Sequence, residues 1–244
     1  FEVTNKGFVS LLLIRDGPNI AWHINLIYTK VVDKHMPRTA RLARPNQYYH
    51  IYNRGANNQL IYKDKEGYLK FLNKIKKTLE KYDWKIYTYC LLPNHYHLQI
   101  KTGEKDKLGT IIQSLQTSHA IYFNRKHKHL GPIFQNRFHS VLVQEGEYFL
   151  YLSKYIHLNP VKANLAIKPE DYLYSSYQKY LNPKTKSIID SRSLITILGD
   201  LNKKSIRKYQ KFINSPDDDN QYIYSEKNNN RGIFGTTRFR SQFE

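Results

Sequence analysis

The chain has 244 residues, 40% of them hydrophobic, with 39 Lys and Arg against 20 Asp and Glu for a formal net charge of +19. That apolar share supports an ordinary core and excludes wholesale disorder, while the charge points to a polyanionic partner. The longest aliphatic run, Leu11–Ile14, is far short of the roughly 20 residues of a membrane helix, and a single cysteine, Cys90, excludes a disulfide framework and fits a reducing cytosol.

The only methionine is Met36, so residues 1–35 are expected to be an N-terminal extension or non-native upstream sequence. Their apolar stretches, Leu11–Ile14 and 20–32, suit a strand or a short helix. Residues 36–187 carry +15 of the net charge, which locates the polyanion site in this middle segment. Tyr48 to Arg54 mixes aromatic and polar residues and stops at Gly55, the pattern of a strand. Tyr68, Phe71, Leu72, Ile75 and Leu79 share helical spacing over 66–82. Trp84–Leu91 and His95–Ile100 read as strands joined at the Pro93-Asn94 turn. Leu108, Ile111, Ile112, Leu115, His119 and Tyr122 predict a second helix over 108–126, and Phe138–Val143 a fourth strand. A third helix carries Phe149, Leu152 and Ile156 on one face and is expected to stop near Pro160.

This order is α+β: a ferredoxin-like split βαβ with a central antiparallel sheet and an extra C-terminal helix. The Asn182-Pro183 step opens a linker and a small C-terminal extension over 182–244, with loops at Asp217–Asp219 and Asn228–Asn230.

His95 and His97 are two residues apart on a strand, so both imidazoles point to one face and Tyr96, Leu98 and Ile100 to the other. Such a pair can ligate one metal ion, or can simply be two half-buried histidines. Tyr155 and Asn159, four apart on the third helix, share a face; an amide oxygen there can complete a metal site and hold the ion near the phenol. Each also has a structural reading, a packing tyrosine among 21 and a helix-ending asparagine before Pro160.

These residues fall into a pattern. Leu91-Leu92-Pro93-Asn94-His95-Tyr96-His97 resembles the HUH signature, histidine–hydrophobe–histidine on a central strand. Tyr155-Ile156-His157-Leu158-Asn159-Pro160-Val161-Lys162-Ala163 resembles the catalytic helix of the HUH single-tyrosine transposases. Met36-Pro37-Arg38, Tyr49-His50 and Asn53-Arg54-Gly55 resemble the start of the REP-associated tyrosine transposase branch. Gly131–Phe138, Tyr172–Tyr177 and Gly232–Gly235 resemble its later segments. The resemblance covers about 36–181 as the HUH catalytic domain.

It implies that His95, His97 and Asn159 bind Mg²⁺ or Mn²⁺ and that Tyr155 is the catalytic nucleophile. Tyr155 would form a 5′-phosphotyrosine link to single-stranded hairpin DNA, and strand joining would need no nucleotide cofactor. Arg38, Arg41, Arg44, Arg54, Arg137 and Lys162 are the candidate DNA contacts, and Tyr148 a candidate for stacking on an unpaired base. The resemblance also implies a monomer with its site in one chain, although other single-tyrosine transposases are dimers, and a bacterial, cytoplasmic, nucleoid-associated protein without membrane partners. His50 is a candidate to approach the site from the first strand; His119 and Tyr122 are expected in the core. Three alternatives stand beside this reading. They are a catalytically quiet hairpin-DNA binder, a replication initiator or relaxase, for which Tyr151 would be a second tyrosine, and a plain metal hydrolase.

Overall fold

Alternation of side chains along one strand decides how this molecule is layered. The structure, a computed structural model, describes residues 10–14, 23–27, 43–105, 108–182, 187–199, 202–216 and 232–243. It divides into two compact units, Phe1–Ala40 and Arg41–Glu244. In the first, β1 (Ser10–Ile14) and β2 (His23–Ile27) pair antiparallel, Ser10 opposite Ile27. Arg38, Arg41 and the loops expected at 217–219 and 228–230 lie outside the described residues.

The second unit is the split βαβ arrangement. Its elements run β3 (Tyr48–Arg54), α1 (Lys65–Lys81), β4 (Trp84–Leu92), β5 (His95–Thr102), α2 (Leu108–His127), β6 (His139–Val143) and α3 (Glu147–Lys162). They are followed by α4 (Tyr177–Leu181), α5 (Ser191–Ile195), α6 (Lys203–Asn214), β7 (Ile233–Phe234) and α7 (Thr237–Arg240). The sheet order is β4-β5-β3-β6-β7, antiparallel except for the parallel β6–β7 pair. The expected strands and helices of 48–156 are present within a few residues.

On β3 and β5 one set of side chains, Tyr49, Ile51, Tyr96, Leu98 and Ile100, is wholly buried. These strands meet apolar stripes of helical period: Phe71 and Ile75 on α1, Ile112 and Leu115 on α2. Asp64 caps α1 by accepting from Gly67 N at 2.9 Å. His119 packs in this layer as expected, its Nε2 donating to the Ile61 carbonyl at 2.7 Å. Tyr122 departs from expectation. Phe123 takes the buried position, because both satisfy the helical phase and Phe has no hydroxyl to desolvate; Tyr122 stays half-buried beside Lys126.

The other sheet face is covered by α3. Gly146 begins it at φ +83, a left-handed backbone that favours glycine. Phe149, Leu152 and Ile156 are buried together as predicted. The helix runs two residues beyond Pro160, since only the last turn loses a hydrogen bond there and Ala163 N still reaches Asn159 O at 2.9 Å. Tyr148 is also a correction: it is buried and meets Phe234 of β7 edge-on at 4.9 Å, which removes it from any base-stacking role.

Behind α3, the C-terminal residues supply polar partners to buried groups. His157 is fully buried, with Nδ1 2.9 Å from Tyr209 Oη and Nε2 2.9 Å from Ser176 Oγ. Tyr209 donates onward to Ser153 Oγ at 2.9 Å and Ser176 Oγ to the Tyr89 carbonyl at 3.2 Å, so the two hydroxyls tie His157 into α3 and β4. Lys154 reaches the Ser215 and Pro216 carbonyls at 2.8 and 3.2 Å. Tyr151 packs edge-on against Phe212 of α6 at 5.0 Å.

Burial holds the His157 pKa down to about 3. Its folded-state pKa lies below the unfolded value of about 6.5, so the unfolded chain binds the extra proton in between. Stability from this group is complete above about pH 6.5 and falls, by about 1 kcal/mol per pH unit, as pH drops toward 3. Thermal melts from pH 8 to 4 are expected to show that acid loss, and His157→Gln to start less stable but with a shallower slope.

Candidate active site

Strand register assembles the site. Tyr52 of β3 lies directly opposite His97 of β5 on one side and His139 of β6 on the other. Arg54 lies opposite His95, and His50 opposite Gln99. All of these project to the α3 side of the sheet because they share its period-two phase. Gln99 is buried and its Nε2 donates to the Phe149 carbonyl at 2.5 Å, fastening α3 to β5.

Tyr155 projects from α3 toward the histidines. Its ring meets His97 edge-on at 5.7 Å between centroids and His50 at 6.0 Å. His95 and His97 stand perpendicular at 5.0 Å. A cavity of about 540 Å³ is lined by His95, His97, Tyr155, Tyr52, Arg54 and His139, among others. The predicted pair and the predicted tyrosine are therefore brought together, in one chain. Asn159 is also placed nearby: its Nδ2 donates to the Tyr155 carbonyl at 3.0 Å, and its side chain reaches His95.

The electrostatics of the histidines follow from burial. His97 is held well below the ordinary imidazole pKa by desolvation, then by His50 and His95 nearby. His50, fully buried, is lowered to about 3 by desolvation. His95 is lowered by burial, against a hydrogen bond with Asn159 that raises it. Neutral imidazole is the form that donates a lone pair to a metal. Among the described residues no group of three or more His, Cys, Asp or Glu could hold a metal. The donor set available is thus two imidazoles and an amide oxygen. That set fits a divalent ion that takes its remaining ligands from phosphate oxygens and water.

The candidate DNA contacts separate. Arg54 is exposed at the cavity and its Nε donates to Gln135 Oε1, on the segment that continues along the end of β3. Lys162 is exposed with its ammonium 5.7 Å from the centre of the Tyr155 ring. Arg137 is exposed just before β6. Arg44 sits at the opposite end of β3, about 20 Å of strand away, over the Phe243 ring at 5.4 Å.

His50 approaches the site from β3 as the sequence allowed, but three contacts were not drawn from the sequence. His50 Nε2 lies 3.0 Å from His97 Nδ1, a buried pair that only the diagonal between β3 and β5 creates. Asn94 Oδ1 accepts from His95 Nδ1 at 2.6 Å, so the turn residue orients the first histidine. Tyr52 and His139 stack with centroids 4.9 Å apart and planes 13° from parallel. The alternation of 50, 52 and 54 along β3 was the available signal for Tyr52, whereas His139 depended on a β3–β6 register that no local pattern encodes.

Because burial lowers both pKa values, His50 and His97 are expected to remain neutral at about pH 6 in imidazole ¹⁵N spectra. An imidazolium signal from either at that pH would contradict the packing.

A family model described as IS200-like transposase matches residues 43–159, a span that runs from the approach to β3 through Asn159. A Haemophilus influenzae protein described as a REP-associated tyrosine transposase is 30% identical over 119 residues, covering 45% of this chain and 68% of that protein. A solved structure of a REP-associated tyrosine transposase bound to a REP hairpin superposes with a TM-score of 0.51 at 17% identity. That superposition covers 63% of this chain and 90% of the other, and shows a shared fold. By this sequence relationship the chain belongs to the REP-associated tyrosine transposases.

Proposed function

We propose that this transposase cleaves and rejoins single-stranded DNA beside a hairpin, with Tyr155 as nucleophile and His95, His97 and Asn159 as ligands of Mg²⁺ or Mn²⁺. The observation that carries the reading is the convergence of Tyr155, His95 and His97 on one cavity, with the His97 and Tyr155 rings 5.7 Å apart. The solved relative is bound to a REP hairpin, which supports the same class of DNA here.

Tyr155 Oη attacks phosphorus, a tyrosyl–phosphate bond forms and the bond to the 3′ oxygen breaks. The phenol proton is lost and the leaving oxygen ends as a 3′-hydroxyl. Attack by a different 3′-hydroxyl reverses the step and joins strands, so no nucleotide cofactor is consumed. When bound, the ion supplies Lewis-acid polarisation of the scissile phosphate. Asn159 anchors to the carbonyl of Tyr155 itself, coupling the nucleophile's helix turn to His95. His97 Nδ1–H donating to His50 leaves His97 Nε2 with its lone pair, the tautomer that ligation requires. His50 is thus a positioning residue.

Arg54, which lines the cavity, and Lys162, whose ammonium lies against the Tyr155 ring, are read as phosphate contacts, and Arg38, Arg41, Arg44 and Arg137 as further DNA contacts. Residues 36–181 form the catalytic domain in this reading, with 1–35 an extension and 182–244 a linker and small C-terminal extension. Because Tyr155 and both histidines meet within one chain, the working unit is a monomer. Among the described residues no helix is long and apolar enough to cross a membrane. With the charge of +19, that suits a nucleoid-associated protein of the bacterial cytoplasm.

The test is a denaturing gel with labelled hairpin DNA from beside the gene, with Mg²⁺ or Mn²⁺. A metal-dependent protein–DNA band is expected in wild type and absent in Tyr155→Phe. Cutting that persists in Tyr155→Phe without a covalent band would replace this reading with metal-dependent hydrolysis, and binding without cutting would replace it with a quiet hairpin binder. His50→Phe is expected to weaken Mn²⁺ binding, measured calorimetrically without DNA, by about 10- to 100-fold, with Tm held within a few degrees.

A further inference from the structure

We infer that Asn58 reads the edge of one unpaired base, adenine, in the DNA strand that enters the cavity, through its side-chain amide. The inference rests on the proposed single-strand cleavage and adds base selection to it. Asn58 lines the same cavity of about 540 Å³ as Tyr155, His95 and His97. A cavity of that size encloses a single drug-sized ligand. A base against Asn58 therefore belongs to a nucleotide at or next to the scissile phosphate.

The turn that carries Asn58 is held at both ends. Gly55, which follows β3, lies so close to the Gln59 carbonyl that a Cβ there would collide with its oxygen, so only glycine fits. Gly55 N donates to the Asn94 carbonyl at 2.8 Å and Ala56 N to the Ile133 carbonyl at 2.9 Å. The Gln59 side chain donates to the Pro132 and Ile133 carbonyls at 3.2 and 3.0 Å. One side is thus tied to the residue before His95 and the other to the segment leading to β6. Between these ties Asn57 and Asn58 both take the left-handed backbone, at φ +51 and +58. Both are exposed, but of the two Asn58 alone lines the cavity. Among the described residues nothing hydrogen-bonds to its side-chain amide.

Asparagine tolerates a left-handed backbone better than other side chains, so conformation alone accounts for Asn57. At Asn58 the same residue also borders the reacting groups. A carboxamide presents a donor beside an acceptor, and adenine answers with its amino group and a ring nitrogen. The tied turn fixes that pair before DNA arrives. A group built to pair with one base edge rejects bases that leave it unpaired.

The test measures cleavage, with Mn²⁺, of hairpins from beside the gene in which each arm position flanking the cut carries each of the four bases in turn. Wild type is expected to favour adenine about tenfold at one position. Asn58→Gly keeps the left-handed backbone and removes the amide, and is expected to bring the four bases within about twofold there. Asn57→Gly, the same change outside the cavity, is expected to keep the wild-type preference, with melting curves confirming each fold. The same preference in Asn58→Gly as in wild type overturns the inference and leaves the proposed function standing, and so does a wild type without preference at any position. Equal loss on all four bases in Asn58→Gly, in cutting or in metal-free binding of the same hairpins, makes Asn58 structural and also overturns it. A different favoured base whose advantage Asn58→Gly removes supports the contact and overturns adenine as its target. Failure of wild type to cut any hairpin overturns the proposed function and base reading with it.

Discussion

One cross-strand register underlies the rest of this protein: Tyr52 on β3 lies opposite both His97 on β5 and His139 on β6. Side chains alternate along a strand, so slipping either pairing by one residue would send the imidazoles into the α1–α2 layer and Leu98 and Ile100 into the cavity. The apolar demand of the core therefore fixes where the histidines point. Burial of Tyr96, Leu98 and Ile100 is what turns His95 and His97 toward α3. The histidines contribute little to that decision; they inherit it.

The face carrying the site is costly to build. His50, His97, Gln99, Ser153, Lys154 and His157 are all buried there. Buried polar groups are tolerable when hydrogen-bonded, and the structure meets the requirement largely by chains of pairs: His50 with His97, Gln99 with the Phe149 carbonyl, and His157 between Tyr209 and Ser176. These bonds also fix α3 against the sheet from both sides. Tyr155 stands between two such anchored turns, so its ring is held toward the histidines by a rigid helix rather than by a loop. The C-terminal helix α6 is part of that arrangement, since Tyr209 supplies a hydrogen-bond partner to the buried His157.

Much of this was legible in the sequence, because local period carries it. The strand 48–54, the hairpin around Pro93-Asn94 and the helices near 66–82 and 108–126 follow from spacing of apolar residues and turn chemistry. So do the opposite directions of His95 and Tyr96. Where local signals tie, the sequence is silent: Tyr122 and Phe123 both fit the phase of α2, and only packing chose Phe123. Tyr148 looked external because nothing local foretells β7, which arrives from far along the chain to cover it.

The sequence by itself determined the elements, the face on which the histidine pair and the Tyr155–Asn159 pair would each lie, and the excess of positive charge. Only the tertiary structure decided that these two faces meet, that His50 reaches His97 Nδ1, and that Tyr52 and His139 stack beside them. The physical reason is that periodicity is a property of neighbours in the chain, whereas register and helix docking are set by the summed burial of residues far apart in it.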